Sequence, residues 1–214
     1  PVYHESGFSF KRSPIITVHT PDAFQEYNWG LIPWWTKSSL AAEQIRPKTL
    51  NAISEEIYEK PSFRDAAKNN KRCLIPCTGF YEWRWFQGGK VKYPYFIYLP
   101  SEPIFSLGGL YSDWENPETG VTHHTYTVLT TAANSLMAKV HNSKQRMPVI
   151  IPREYEKDWL SDKLTKEDVL AMSRPYESSL MEAYTISKMI TDRRVADKNI
   201  PEVFARVDYS EITN

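Results

Sequence analysis

RCLIPCTGFYEWRWF, residues 72–86, is the stretch on which the fold turns. RCLIP at 72–76 is a short apolar run, GFYEWRWF at 79–86 is dense in aromatics, and both are too brief and too bounded by turn formers for a helix. They read as two strands. Gln87-Gly88-Gly89-Lys90 supplies a hairpin turn into a third strand at 93–99. Further strands at 104–112 and 124–131, joined by a turn over Asn116 to Gly120, continue the meander. On the N-terminal side, PIITVHT at 14–20 and YNWGLIP at 27–33 read as strands, and the polar stretch from Thr36 to Thr49 as a loop. Ser54 opens a helical pattern, and Ser62 with Asp65 forms a capping-box pattern for a short helix ending near Asn70. On the C-terminal side, 148–151 reads as a strand, 153–160 and 165–172 as helices, the second capped by Thr165 with Asp168, and 184–190 as a late strand.

There is no repeat, low-complexity tract or linker, so the sequence predicts one domain over residues 1–214. The fold class expected is α+β, a strongly curved, mainly antiparallel, barrel-like sheet with a few short helices. Hydrophobic residues make up 41% and charged residues 24%, which excludes disordered and fibrous classes. The 14% of aromatic residues suits pleated structure and stacking on flat ligands. Lys plus Arg and Asp plus Glu number 26 each, so any nucleic-acid contact must use a local basic groove. Two cysteines, Cys73 and Cys77, cannot complete a four-ligand zinc site and fit a reducing compartment. With no membrane-length apolar stretch and no signal-peptide pattern, a soluble cytoplasmic protein, monomeric and without contact to a membrane, is expected.

Among residues able to carry chemistry, Glu82 stands out. In an alternating strand it shares a face with Phe80, while Tyr81 and Trp83 take the other. It is therefore either a solvent-face carboxylate or an acid held in a pocket, where desolvation would suit it to proton transfer near neutral pH. His141, at the edge of a polar loop, is either an exposed histidine or an acid–base group. Arg146 offers a planar fork for phosphate or a surface ion pair. Asn51 can be a turn residue. Adjacent Trp34 and Trp35 point to opposite sides of an extended chain, leaving one free to stack on bases. Lys37, Arg46, Lys48 and Lys60 are nearby cations for phosphates, or plain surface charge. His123-His124 lack spaced partners and the glycines form no phosphate loop, so neither metal nor cofactor is expected.

Taken in order, several stretches resemble the SOS-response-associated peptidase family, the SRAP domain. They are WGLIPWW at 29–35, the Asn-Ala of LNAISEE at 50–56, KPSFRDA at 60–66, RCLIPCTGFYEW at 72–83, PYFIYLP at 94–100, FSLGGLYS at 105–112, TVLTTAAN at 127–134 and VHNSKQRMPVI at 140–150. The resemblance spans most of the chain. It implies a protein that shields abasic sites in single-stranded DNA through a cysteine exposed by removal of the initiator Met. The cysteine's amine would condense with the ring-opened sugar aldehyde, and its thiol would close a thiazolidine. On the same resemblance Glu82 matches the family's essential carboxylate, Asn51 the residue that orients the cysteine, and His141 the histidine that assists at the sugar. Trp34 and Trp35 fall where the family keeps indoles against DNA and Arg146 where it keeps a phosphate contact; Lys60 and Lys48 are expected as DNA contacts from their own place near the tryptophans. The sequence begins at Pro1 and does not include the cysteine. The family's usual Asn-Ala-Arg reads Asn51-Ala52-Ile53, and His141 and Arg146 stand five apart where the family commonly has two. The alternative reading is a non-covalent module for single-stranded or junction DNA that has lost the nucleophile.

Overall fold

A computed structural model describes residues 2–212. Its frame is a ring of five strands. β1 (Arg12–Thr17) pairs antiparallel with β2 (Thr20–Trp29) and with β4 (Arg72–Cys77). β4 pairs with β7 (Phe105–Glu115), and β7 with β8 (Thr122–Ala132), again antiparallel. A short parallel contact, Asn28 and Trp29 of β2 against Thr125 and Tyr126 of β8, closes the ring. The barrel is therefore mixed and has no long open edge. All five strands feed one core: Ile15, Tyr27, Cys73, Ile75, Leu107, Tyr111, Tyr126 and Val128 are buried together.

Other faces of β4, β7 and β8 are also covered. Leu74, Leu110 and Leu129 pack with Phe63, Val149, Trp159 and Val169 beneath the helical segments. Burial on both faces explains why RCLI and the first eight residues of β7 read as continuous apolar runs rather than alternating ones. The helical layer is pinned by polar groups. Arg72, almost wholly buried, donates to the carbonyls of Trp159 and Ser161 and to the Asn70 side chain, while the Trp159 indole donates to the Cys73 carbonyl at 3.0 Å. Two further short strands pair alongside β8, namely β3 (Asn51–Ile53), parallel, and β9 (Arg146–Pro148), antiparallel, and β10 (Ile150–Ile151) pairs alongside β7.

A separate sheet carries the GFYEW motif: β5 (Phe80–Phe86) pairs with β6 (Val91–Tyr98), which pairs with β11 (Glu182–Thr185). β5 is an edge strand. Phe80 and Phe86 pack on the barrel core, joined by Tyr93, Tyr95 and Ile97 of β6, whereas Tyr81, Trp83 and Phe96 pack on the far side with Tyr3 and Ile186. The helices are short: α1 (Ser39–Ile45), α2 (Arg64–Lys68), α3 (Ser135–Val140), α4 (Glu156–Trp159) and α5 (Lys166–Met172). None among the described residues is long and apolar enough to cross a membrane.

The α+β class and the curved, barrel-like sheet agree with the sequence expectation, as do the middle strands and both turns. Several boundaries do not. Residues 27–33 are not a separate strand; β2 runs from Thr20, and its first five residues are exposed and so give no apolar rhythm. The stretch read as a loop holds α1, which buries only Ala42 and is capped by Ser38. Ser54 starts a single 3₁₀ turn rather than a helix. The Ser62–Asp65 box does not form, and Asp65 instead accepts from Asn69, whereas the Thr165–Asp168 box is complete. The pattern at 153–160 yields a 3₁₀ turn and one turn of α4, and the late strand ends at Thr185, followed by a 3₁₀ turn at Lys188–Thr191.

Barrel closure needs Gly109. A Cβ there would lie 2.6 Å from the Thr127 carbonyl oxygen and 2.9 Å from Cys73 Sγ, where neither neighbour can move freely. Gly109→Ala should cost about 1–3 kcal/mol by overpacking, and a thermal melt should show a Tm lowered by several degrees.

Candidate functional site

Glu82 sits at the middle of β5, on the face that Phe80 and Phe86 turn to the core, opposite Tyr95 of β6. Its side chain keeps about one-fifth of its surface, 21%. Desolvation pushes its carboxyl up to about 7, although the Trp83 amide and the Lys144 charge pull the other way. The carboxyl therefore exchanges its proton near neutral pH.

His141 arrives from the barrel side. Met137 and Val140 of α3 are buried in the barrel core, and His141 is the residue after the helix ends. Its Nδ1 lies 3.6 Å from Glu82 Oε1 and 3.0 Å from the Arg146 carbonyl oxygen. The carbonyl can only accept, so Nδ1 carries the proton and Nε2 is left as an acceptor. Burial and Lys144 lower the histidine's pKa despite the Arg146 carbonyl. Near pH 7 Glu82 is therefore divided between its protonated and ionised forms while His141 is held toward the neutral imidazole, so the two do not form a strong ion pair.

The loop between α3 and β9 is clamped to the β5 edge. Asn142 accepts from the Trp85 amide and donates to the Trp85 carbonyl, each at 2.9 Å. This two-point bond replaces a missing strand partner and sets His141 against Glu82. The five-residue spacing of His141 and Arg146 is no obstacle to their meeting, because the loop folds back through the Gln145 amide to the His141 carbonyl at 2.9 Å.

Arg146 is engaged. Its guanidinium makes a fork with Glu55 at 2.9 and 2.7 Å and donates to the Thr130 carbonyl at 2.7 Å, which holds the Glu55 carboxyl down at about 2. Asn51 is exposed on β3, beside Leu50, whose carbonyl accepts from the Trp29 indole at 2.7 Å. Trp34 and Trp35 both project from a buried frame, 61% and 41% exposed, with Trp35 donating to the Pro61 carbonyl at 3.1 Å. Lys60 pairs with Glu56 at 3.3 Å, and Lys48 is exposed at the end of a 3₁₀ turn. Cys73 and Cys77 are sequestered by the fold; burial raises both thiols, Cys77 to about 12. Among the described residues no group of three or more His, Cys, Asp or Glu is placed to hold a metal ion.

The structure thus joins Glu82, His141 and Arg146 directly. It adds Asn142, Lys144 and Glu55, which sequence reasoning missed. The polar run HNSK hinted at a loop, but nothing in it announces a clamp.

Comparison with known proteins identifies a family and relatives. The profile of the family described as SOS response associated peptidase (SRAP) matches residues 8–193. Abasic site processing protein YoqW of Bacillus subtilis is 42% identical over 205 residues, covering 94% of this chain and 86% of that protein. Abasic site processing protein HMCES of Pongo abelii is 30% identical over 206 residues, covering 84% of this chain and 56% of that protein. A crystal structure of a Bacteroides thetaiotaomicron protein superposes with a TM-score of 0.89 at 41% identity, covering 96% of this chain and 85% of that one.

The raised Glu82 carboxyl makes a prediction about stability. Between its ordinary value of 4.5 and about 7 the folded chain holds a proton that the unfolded chain has lost, so stability falls as pH rises through this window. Above it the cost of the ionised form is up to about 3 kcal/mol. Glu82→Gln should leave unfolding unchanged near pH 4 and raise stability at pH 8, as measured by denaturant titration at both pH values.

Proposed function

The chain belongs to the SOS response associated peptidase family, and from that premise we propose that it processes abasic sites in single-stranded DNA by covalent capture. The observation that carries the reading is the sheltered Glu82 carboxyl, poised near pH 7 and 3.6 Å from His141. Relatives named abasic site processing proteins align over most of the chain, which supports DNA as the substrate.

The nucleophile is a cysteine at the mature N-terminus, ahead of Pro1. Hydrolysis of the Met–Cys bond frees it, with Glu82 taking a proton from water and passing it to the leaving amine. The amine, with a pKa near 8, is partly unprotonated at neutral pH and attacks the ring-opened sugar aldehyde. A C–N bond forms and the amine proton moves to oxygen. Neutral Glu82 then protonates that hydroxyl, water leaves as an iminium forms, and the iminium nitrogen returns its proton to the Glu82 carboxylate to leave an imine. The thiol adds its sulfur to the imine carbon and its proton reaches nitrogen, closing a thiazolidine. His141 Nε2 serves as the second proton station at the sugar, and Asn51 orients the cysteine.

Trp34 and Trp35 suit stacking against or wedging between bases, since exposed indoles on a rigid frame lose little entropy on binding. Lys48 and Lys60 flank them for phosphates. Arg146 reaches a phosphate by exchanging Glu55 for it, so Glu55 holds the fork in place until DNA arrives. Cys73 and Cys77 take no part, the first buried and the second half-buried, and neither has a free amine.

The test is a denaturing gel of the chain carrying its cysteine, incubated with labelled single-stranded DNA containing an abasic site. A heat-stable shifted band is expected, formed at least a hundred-fold more slowly by Glu82→Ala. The rate should fall as pH rises above about 7, where Glu82 loses its proton, and Glu82→Gln should lack that limb. Binding that disappears on denaturation would instead indicate a non-covalent reader.

A further inference from the structure

The β5–β6 hairpin and the α3–β9 loop, stitched together by Asn142 on the Trp85 backbone, form one continuous surface round the β5 edge. Its charge is one-sided. The chain is neutral as a whole, yet residues 83–101 and 119–153 contain no Asp or Glu. Arg84, Lys90 and Lys92 come from the first stretch, and Lys139 and Lys144 from the second. None of these five pairs with a carboxylate among the described residues, in contrast to Arg12, Lys60, Arg146, Arg194 and Arg206.

On this surface Trp85 is 42% exposed. Tyr81 and Trp83, on the same side of β5, are covered by the cluster around Ile186, but the cover stops short of Trp85. Gly89 supports the indole from below: a Cβ there would lie 2.6 Å from the ring. Lys92, its cross-strand neighbour, holds its ammonium 4.5 Å from a ring centre of the indole, a contact worth only about 0.5–1 kcal/mol at an exposed site. That contact is readily exchanged for a base. Trp85 is three residues from Glu82, roughly 10 Å along the strand, and its side chain lies on the opposite face, so the two sides meet only round the β5 edge. Lys144 is close enough for its charge to act on both Glu82 and His141.

Resting on the reading that Glu82 acts on single-stranded DNA, we propose that the β5 edge is a second strand-binding surface. The strand bends round the β5 edge: Arg84 and Lys144 hold phosphates on the Glu82 side, Trp85 stacks a flanking base on the opposite side, and Lys92 holds the phosphate beside that base. It lies on different elements from Trp34 and Trp35, so the chain grips its substrate at two stacking points. An exposed indole with a lysine on its ring and no carboxylate partner for that lysine suits a strand with both π-faces and phosphates better than it suits an acidic peptide, which supplies charge alone.

Fluorescence anisotropy with a labelled, undamaged oligothymidylate tests this without any covalent step. Trp85→Ala should weaken Kd by about five- to a hundred-fold, and Trp85→Phe should restore most of it. Lys92→Gln with Lys144→Gln should flatten the dependence of log Kd on log salt by about 0.7 for each cation removed. If the parent chain binds and Trp34→Ala weakens it, while Trp85→Ala and the lysine pair change neither affinity nor salt slope, the second surface is wrong and the DNA reading stands. If the parent chain fails to bind the oligonucleotide, both fall. Tighter, salt-sensitive capture of polyglutamate than of oligonucleotide would also overturn the proposal.

Discussion

The site depends on keeping the carboxyl at position 82 short of water while leaving it within reach. An edge strand would ordinarily expose such a group. Here two packing events prevent it. Phe80 and Phe86 draw one face of β5 onto the barrel core, and Asn142 fastens the α3–β9 loop along the open edge. The carboxyl is thereby enclosed by the barrel, the small sheet and a loop. Because the clamp acts on backbone rather than side chain, it fixes position without contributing a charge.

Enclosure determines the proton inventory. Loss of solvation outweighs the Trp83 amide and the Lys144 charge at Glu82, and the same desolvation favours neutral His141. An exposed glutamate and histidine at this distance would form an ion pair with both protons committed. The buried pair instead keeps the histidine proton on Nδ1 and leaves the acid gaining and losing its own proton near neutral pH. Arg146 contributes twice, its carbonyl setting the histidine tautomer and its fork locked to Glu55. The second role ties β9 to the turn after β3, so segments on either side of β8 move together.

Much of this was legible in the sequence, for identifiable reasons. Strands with dense β-branched and aromatic residues, such as Thr122–Ala132, announce themselves because burial on both faces leaves no ambiguity of composition. The exposed half of β2 and the small helix α1 do not, since neither has an apolar stripe to read. Glu82 and His141 could be named as candidates from residue type and motif. Their meeting could not, because it depends on Asn142 reaching Trp85 across 57 positions of chain. The bidentate occupation of Arg146 by Glu55 is equally non-local, at 91 positions. Local pattern identifies the reagents, and long-range hydrogen bonds decide their state.

The most direct measurement is the titration of the Glu82 carboxyl itself, followed by NMR of the labelled side chain in the intact protein. The account predicts a midpoint near 7, falling toward the ordinary range when Asn142→Ala releases the loop. A midpoint near 4.5 in the parent chain would mean that the carboxyl is hydrated and ionised at neutral pH, and would contradict the role assigned to it.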